Sequence, residues 1–453
     1  MIEKYLVKKI TEPVDWKVTV PGSKSMTNRA LLMAVLSAGT VRVEGVLFSD
    51  DSRHFLACLV ALGFTVEIEE EKKCVTVTGC GGRIPRGEAV IDVGSAGTAA
   101  RFLAAMLGFS DGCYEIRCSA QMKRRPMAEL FDLLSGAGAK ITFLEEEGHL
   151  PVRITGCRYA RADKTAGETP RELSLDITKS TQFLSALLLI APMVPEGMKI
   201  HITSEKTDGS YIRITRKMMQ EFGVSVAFDG RDYEVPCRSS YRKETYMVEP
   251  DMSAACYFYA AAAMTGGRAL VRHVHMDNTQ GDLRFLEVLE HMGCTADDTP
   301  EGILVTGPAD GALRGITVNM NDFSDQALTL AAIAPFADAP VRIEGIGHIR
   351  GQECDRIHAI QTNLTALGIR CEEEETAATI YPSSPHGGSV ETYDDHRVAM
   401  AFSLVGLRTD GIVIENPACC RKTFENYFTV LSELTGKTVE EVGGQAVLGR
   451  QHV

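Results

Sequence analysis

No run of about 18 apolar residues occurs in the 453-residue chain, so no membrane-spanning helix is expected. Positive charge is also in short supply: 47 Lys and Arg stand against 60 Asp and Glu, a net −13. That balance argues against general nucleic-acid binding and offers no basic tail to support it. An anionic substrate would have to meet a local basic cluster on an acidic body. The thirteen cysteines contain no C-x-x-C pair and are odd in number. Reduced thiols in a cytosol suit that pattern better than a disulfide framework or a zinc site. The opening "MIEKYLVKKITEP" lacks the apolar segment of a signal peptide, so a cytoplasmic location is expected. His273 and His275 are spaced to share one face of a strand, but no third ligand is evident, and no metal is expected.

The length allows two or three domains. Its most informative stretch is "VTVPGSKSMTNRALLMAVLSAG", residues 18–39. A strand-like run ends at Pro21-Gly22, and a nearly all-apolar helix follows. That helix nevertheless opens with Lys24, Ser25, Thr27, Asn28 and Arg29. Five further stretches have the same form: "GSAGTAARFLAAML" from Gly94, "KSTQFLSALLLIA" from Lys179, "DMSAACYFYAAAA" from Asp251, "SDQALTLAAIA" from Ser324 and "DDHRVAMAFSLVG" from Asp394. A helix that is apolar all round is buried all round. Each is followed by a turn and a short β-pattern, at a spacing of about 70 to 85 residues. A second, amphipathic helix and a hairpin fill each interval. The chain therefore reads as six α/β units in two groups of three. Residues 20–245 form one lobe; residues 1–19 and 246–453 form the other, with two crossings between them.

The polar openings have a physical reading. Helix N-termini carry unpaired N–H groups and partial positive charge, which favour anions. Lys or Arg in a first turn opposes that charge unless an anion sits there. The expectation is a cleft between the lobes where Lys24, Arg29, Arg101, Lys179, His396 and Arg397 meet. Lys123, Arg125, Glu353, Arg356 and Lys422 would join them from strand-end loops. A P-loop is excluded, because "GSKS" lacks the required G-x-x-x-x-G-K-S/T. A pure anion binder would not place Asp325 and Glu353 among the cations, since acids there make sense mainly as proton carriers.

These motifs, "PGSKSMTNRA", "GSAGTAARF", "MKRRPM", "STQF", "SDQALT", "QECDR", "DDHRVAM" and "RKTF", resemble those of the enolpyruvyl transferases over about residues 14–430. Within that family the likeness is to the branch acting on shikimate 3-phosphate in the shikimate pathway. The resemblance implies an α/β, two-lobed fold, each lobe being three βαβαββ units around buried parallel helices. It also implies transfer of the enolpyruvyl group of phosphoenolpyruvate to the 5-hydroxyl of shikimate 3-phosphate with release of phosphate. No metal or organic cofactor is implied, and a monomer is expected.

By resemblance, Glu353 protonates and later deprotonates the methylene carbon, Asp325 takes the hydroxyl proton, and Lys24 is catalytic. Lys24, Arg125, Gln182 and Lys422 would hold the phosphate of phosphoenolpyruvate, and Arg356 and Arg397 its carboxylate. His396 would stand beside them, and Gly97 would let the backbone approach closely. Ser25, Arg29, Ser180, Thr181, Gln182, Tyr211, Asp325 and Gln352 would contact shikimate 3-phosphate. Thr181, Asp208, His348 and Gln352 depart from the family's usual serine, serine, asparagine and lysine, all on the acceptor side. Asp208 is expected to repel the acceptor's phosphate and Lys179 to compensate. The alternatives are an enolpyruvyl transferase with another acceptor and a non-catalytic anion binder of the same fold. A sister enzyme acting on a UDP-sugar is disfavoured, because "AQMKRRPM" contains no cysteine and Ser25 follows Lys24.

Overall fold

The computed structural model describes residues 4–157, 170–178, 180–309 and 312–436. Lys179, expected among the cations, lies outside the described residues. The chain divides into two compact units. The central unit is Gly22–Glu249, and the terminal unit joins Met1–Pro21 to Pro250–Val453.

The apolar helices form as the pattern requires. The central unit holds Lys24–Leu36, Gly97–Gly108 and Thr181–Ile190. The terminal unit holds Met252–Thr265, Ala327–Ile333 and His396–Arg408. Residues 30–35 of the first are wholly buried, as is nearly every residue of Met252–Thr265. Ala and Leu around the whole circumference let each helix pack closely on all sides. The stretch from Ser324 is less regular than its sequence suggests: a 3-10 turn at Ser324–Gln326 precedes the helix, and another follows at Ala334–Phe336. Pro335 removes a backbone donor there and ends the α-helical ladder.

Each buried helix belongs to a module with its own small sheet. Glu88–Asp92 pairs parallel with Cys113–Arg117 across the Gly97–Gly108 helix. Val152–Thr155 then pairs antiparallel with Cys113–Arg117, and Lys140–Phe143 with Val152–Thr155. The same parallel-then-hairpin order recurs in the other two central sheets and in two of the terminal unit. The terminal unit's remaining sheet has three described strands, with Lys4–Leu6 antiparallel on Ile412–Glu415. Amphipathic helices such as Asp50–Ala61 and Arg356–Ala366 cover the module flanks.

The N-terminal segment completes the terminal unit, since Asp15–Val18 pairs parallel with Arg268–Arg272. Conversely, Thr245–Met247 pairs parallel with Thr40–Glu44 and closes a central sheet. The second crossing therefore follows Glu249 rather than preceding Tyr246, and the first follows Pro21 rather than Thr19. Each crossing is tied down within its own unit: Ser23 N–H donates to Glu249 O at 2.8 Å, and Asp251 N–H to Pro21 O at 2.8 Å. Gly22 is required at this point, because a Cβ would lie 2.0 Å from the Gly45 carbonyl oxygen.

Among the described residues no helix is long and apolar enough to cross a membrane. All thirteen cysteines are free thiols.

Candidate active site

In the central unit the predicted cations sit at or beside helix starts. Neither Lys24–Leu36 nor Gly97–Gly108 has a side-chain cap, so the N-cap side chain satisfies none of their first N–H groups. Lys24 lies in the first turn, 3.4 Å from Asp51. Ser25 is 3.2 Å from Ser23 through their hydroxyls. Arg29 is buried and bonded only to neutral groups: Nε donates to Thr215 Oγ1 at 2.8 Å, and Nη1 to Ser25 O at 2.9 Å. Its guanidinium also lies over the rings of Phe102 and Tyr211, at 5.3 and 5.7 Å. Burial lowers its pKa to about 10, against the opposing pull of Tyr211 and Tyr246.

Gly97 has a clear reason to be glycine. A Cβ there would stand 2.4 Å from Arg125 Nη1 and 2.7 Å from Arg101 Nη1. Two guanidinium groups thus converge on the first turn of that helix. Ser180 caps the Thr181–Ile190 helix by accepting from Gln182 N–H at 3.2 Å, which also sets Thr181 and Gln182 in its first turn. The Gln182 Oε1 atom is buried with no hydrogen-bond partner among the described residues. Lys123 instead pairs with Glu145 on the surface, at 2.6 Å.

In the terminal unit the predicted residues form a dense ionic cluster. Arg356 is 1% exposed and uses all five of its N–H groups internally. Its Nε donates to Asp395 at 2.8 Å, Nη1 to Asp325 at 2.9 Å and to Gln352, and Nη2 to Glu353 at 2.9 Å and Asp395 at 3.3 Å. Burial alone would lower its pKa, but the charges of Asp395, Glu353 and Asp325 outweigh burial and hold it charged. Arg397 Nη2 donates to Asp325 at 2.9 Å, and Lys422 Nζ lies 3.1 Å from Glu353. Asp325 thus bridges two arginines, and Glu353 bridges Arg356 and Lys422. His396 is buried in the same helix turn, 3.7 Å from Asp395.

The acceptor-side departures look different in three dimensions. Asp208 is neutralised by Arg213 at 3.0 Å and accepts from Tyr233 Oη at 3.2 Å, so the expected repulsion is met by a local cation. His348 Nε2 is 2.8 Å from Ser324 Oγ, beside Asp325. Gln352 is bound to Arg356 through its side-chain oxygen. The two histidines considered for metal do not share a strand, which ends at Arg272. His275 is 2.8 Å from Asp298, and His273 has a positive φ of 63°. Among the described residues no group of three or more His, Cys, Asp or Glu could hold a metal ion.

Sequence reasoning missed three residues. Asp51 steadies Lys24. Asp395 caps the His396–Arg408 helix through Arg397 N–H at 2.9 Å while binding Arg356. Asp282, buried behind Arg397, belongs to no motif that had been singled out. Only Asp395 left a signal, as a helix-opening acid directly before two basic residues.

A family model described as EPSP synthase (3-phosphoshikimate 1-carboxyvinyltransferase) matches residues 8–431. The chain belongs to the EPSP synthase family. A 3-phosphoshikimate 1-carboxyvinyltransferase of Trichormus variabilis is 41% identical to it over 429 residues, 94% of this chain and 98% of the relative. One from a Nostoc species is 41% identical over 421 residues, 93% of this chain and 96% of the relative. Among solved structures, an EPSP synthase from Acinetobacter baumannii superposes with a TM-score of 0.77 at 25% identity, covering 96% of this chain and 98% of that one. EPSP synthases are enolpyruvyl transferases, so the expected fold and enzyme class both stand.

Proposed function

We propose that this chain transfers the enolpyruvyl group of phosphoenolpyruvate to the 5-hydroxyl of shikimate 3-phosphate, by addition and then elimination of phosphate. One observation carries the assignment of roles: Asp325 and Glu353 are two acids held side by side on Arg356. The reaction needs such a pair, a base for the hydroxyl and an acid for the methylene carbon. Asp325 takes the hydroxyl proton, and Glu353 protonates the methylene carbon. After the tetrahedral intermediate forms, Glu353 takes a methyl proton back as phosphate leaves.

The ion pairs support a sequence for this. An acid held by two arginines is a poor base. A substrate carboxylate that takes over donors of Arg356 and Arg397 frees Asp325 from both. Its affinity for a proton then rises at the moment the hydroxyl needs a base. Loosening Glu353 from Arg356 likewise favours its protonated form.

Lys24, Arg125, Gln182 and Lys422 bind the phosphate of phosphoenolpyruvate, with Gly97 leaving room beside Arg125. Ser25, Arg29, Ser180, Thr181, Gln182, Tyr211 and Gln352 bind the acceptor. The enzyme acts as a monomer in the cytoplasm, which light scattering of the purified protein checks for oligomeric state. A phosphate-release assay with both substrates tests the function. Release that depends on shikimate 3-phosphate supports it; phosphoenolpyruvate turnover with no response to that acceptor would assign a different one.

A further inference from the structure

Beside the three carboxylates on Arg356 lies a fourth carboxyl with a different kind of environment. Asp282 is 7% exposed, in a short 3-10 turn ahead of the Phe285–His291 helix. Its Oδ2 accepts from two neutral donors, Ser253 Oγ and Gln326 Nε2, the latter at 3.2 Å. Ser253 Oγ in turn accepts from Arg397 Nη2 at 3.4 Å, and the same nitrogen donates to Asp325. Asp282 is therefore linked through one hydroxyl to the guanidinium that holds the proposed base. By contrast Asp325, Glu353 and Asp395 each touch a cation directly.

Charge decides what that difference does. Four carboxylates (Asp282, Asp325, Glu353 and Asp395) share a buried cluster with Arg356, Arg397 and Lys422. Even if His396 is charged, one further anion leaves the cluster with excess negative charge. A buried charge without a partner is costly, and the group that loses least by neutralisation takes a proton. Asp282 is the group that takes this proton from solvent, because its protonation breaks no ion pair, whereas the freed Asp325 receives its proton from the acceptor's hydroxyl. Around it, Asp325 and Arg397 act in opposite senses, and Cys256 lies 3.7 Å from its carbonyl. Burial first, and then the charge of Asp325, push its carboxyl above the ordinary range.

We propose that Asp282 is a positioning residue that takes up a proton from solvent when the substrate's carboxylate enters the Arg356–Arg397 cluster, and that it keeps Arg397 aimed through Ser253. This rests on the assignment of Arg356 and Arg397 to that carboxylate. Binding linked to proton uptake weakens as pH rises, by up to about tenfold per pH unit for one proton.

The test is the pH dependence of KM for phosphoenolpyruvate between pH 6 and 8, in the wild type, Asp282→Asn and Asp282→Glu. Asparagine mimics the protonated acid, so Asp282→Asn should show a flatter profile and, at pH 8, a KM about three- to tenfold below the wild type. A merely structural role would raise KM instead. Asp282→Glu should restore the rise with pH. An unchanged slope in Asp282→Asn would place the proton elsewhere, Glu353 being the rival, and would overturn the proposal. If Asp282→Asn does not fold, a wild-type KM flat over this range overturns it equally. Absence of any phosphate release would instead sink the functional reading itself.

Discussion

The two units meet anions in opposite ways. In the central unit, Arg29 is buried among hydroxyls, carbonyl oxygens and aromatic rings, and its charge is lowered in stability by burial. Two of that unit's apolar helices start without a side-chain cap. In the terminal unit, Arg356 is buried to the same degree but surrounded by carboxylates, and the helices from Met252 and His396 are capped by Asp251 and Asp395. Arg29 of the central unit has no carboxylate partner among the described residues, whereas Arg356, Arg397 and Lys422 of the terminal unit are held in internal ion pairs. The second arrangement suits proton transfer, because an acid whose cation partners change also changes its proton affinity.

Replacing the buried arginines should break the comparison most visibly. Arg356→Met takes a cation from three carboxylates, leaving Asp325 to Arg397 and Glu353 to Lys422 but Asp395 without its arginine, and by the usual cost of a broken buried ion pair should destabilise the protein by about 3–5 kcal/mol in denaturant unfolding. Arg29→Met strands no acid and should change stability by about 1 kcal/mol or less, while raising KM for shikimate 3-phosphate at least about tenfold. Equal destabilisation by the two would mean that the carboxylates around Arg356 do not define its unit. Next in size, Asp325→Ala and Glu353→Ala should each lower turnover about 100-fold or more with both substrates saturating. Near-wild-type turnover in either would remove that acid from the mechanism. Gly97→Ala sharpens the central-unit side. Its methyl group would displace Arg125, so KM for phosphoenolpyruvate should rise about tenfold with little change in melting temperature.

The smallest effect concerns pH and stability. Asp282 has a raised pKa in the folded protein, through burial and then Asp325. Its contribution to stability is therefore fully present below the pKa of an unfolded aspartate and lost as pH rises through the folded value. Asp282→Asn keeps a neutral group at that place. The variant's melting temperature should match the wild type near pH 4 and exceed it by about 2–4 °C near pH 8. A gap that does not grow with pH would show that Asp282 is not strained by its charge.

Much of this was legible in the sequence. All-round apolar helices recurring with glycine-marked turns define the module, because periodicity alone fixes which faces must be buried. Lys24, Arg29 and Arg397 stood out because charge at the start of a buried helix conflicts with its surroundings, whereas Gly97, Glu353 and Arg356 were given their roles by the family resemblance. The second crossing was misplaced by a few residues because Thr245–Met247 is a strand whichever unit it joins; only its pairing with Thr40–Glu44 settles the matter.

The amino-acid sequence by itself determined the repeat and the polar helix openings, since each is a local pattern carried by neighbouring residues. Only the tertiary structure decided the partners. Asp208 is matched by Arg213, Arg356 binds Asp325, Glu353 and Asp395, and Asp282 stands behind Ser253 and Arg397. An ion pair or a buried acid depends on distance in space and on the exclusion of water. Residues such as Asp325 and Arg397, 72 apart in the chain, carry no mark of that distance in their own neighbourhoods.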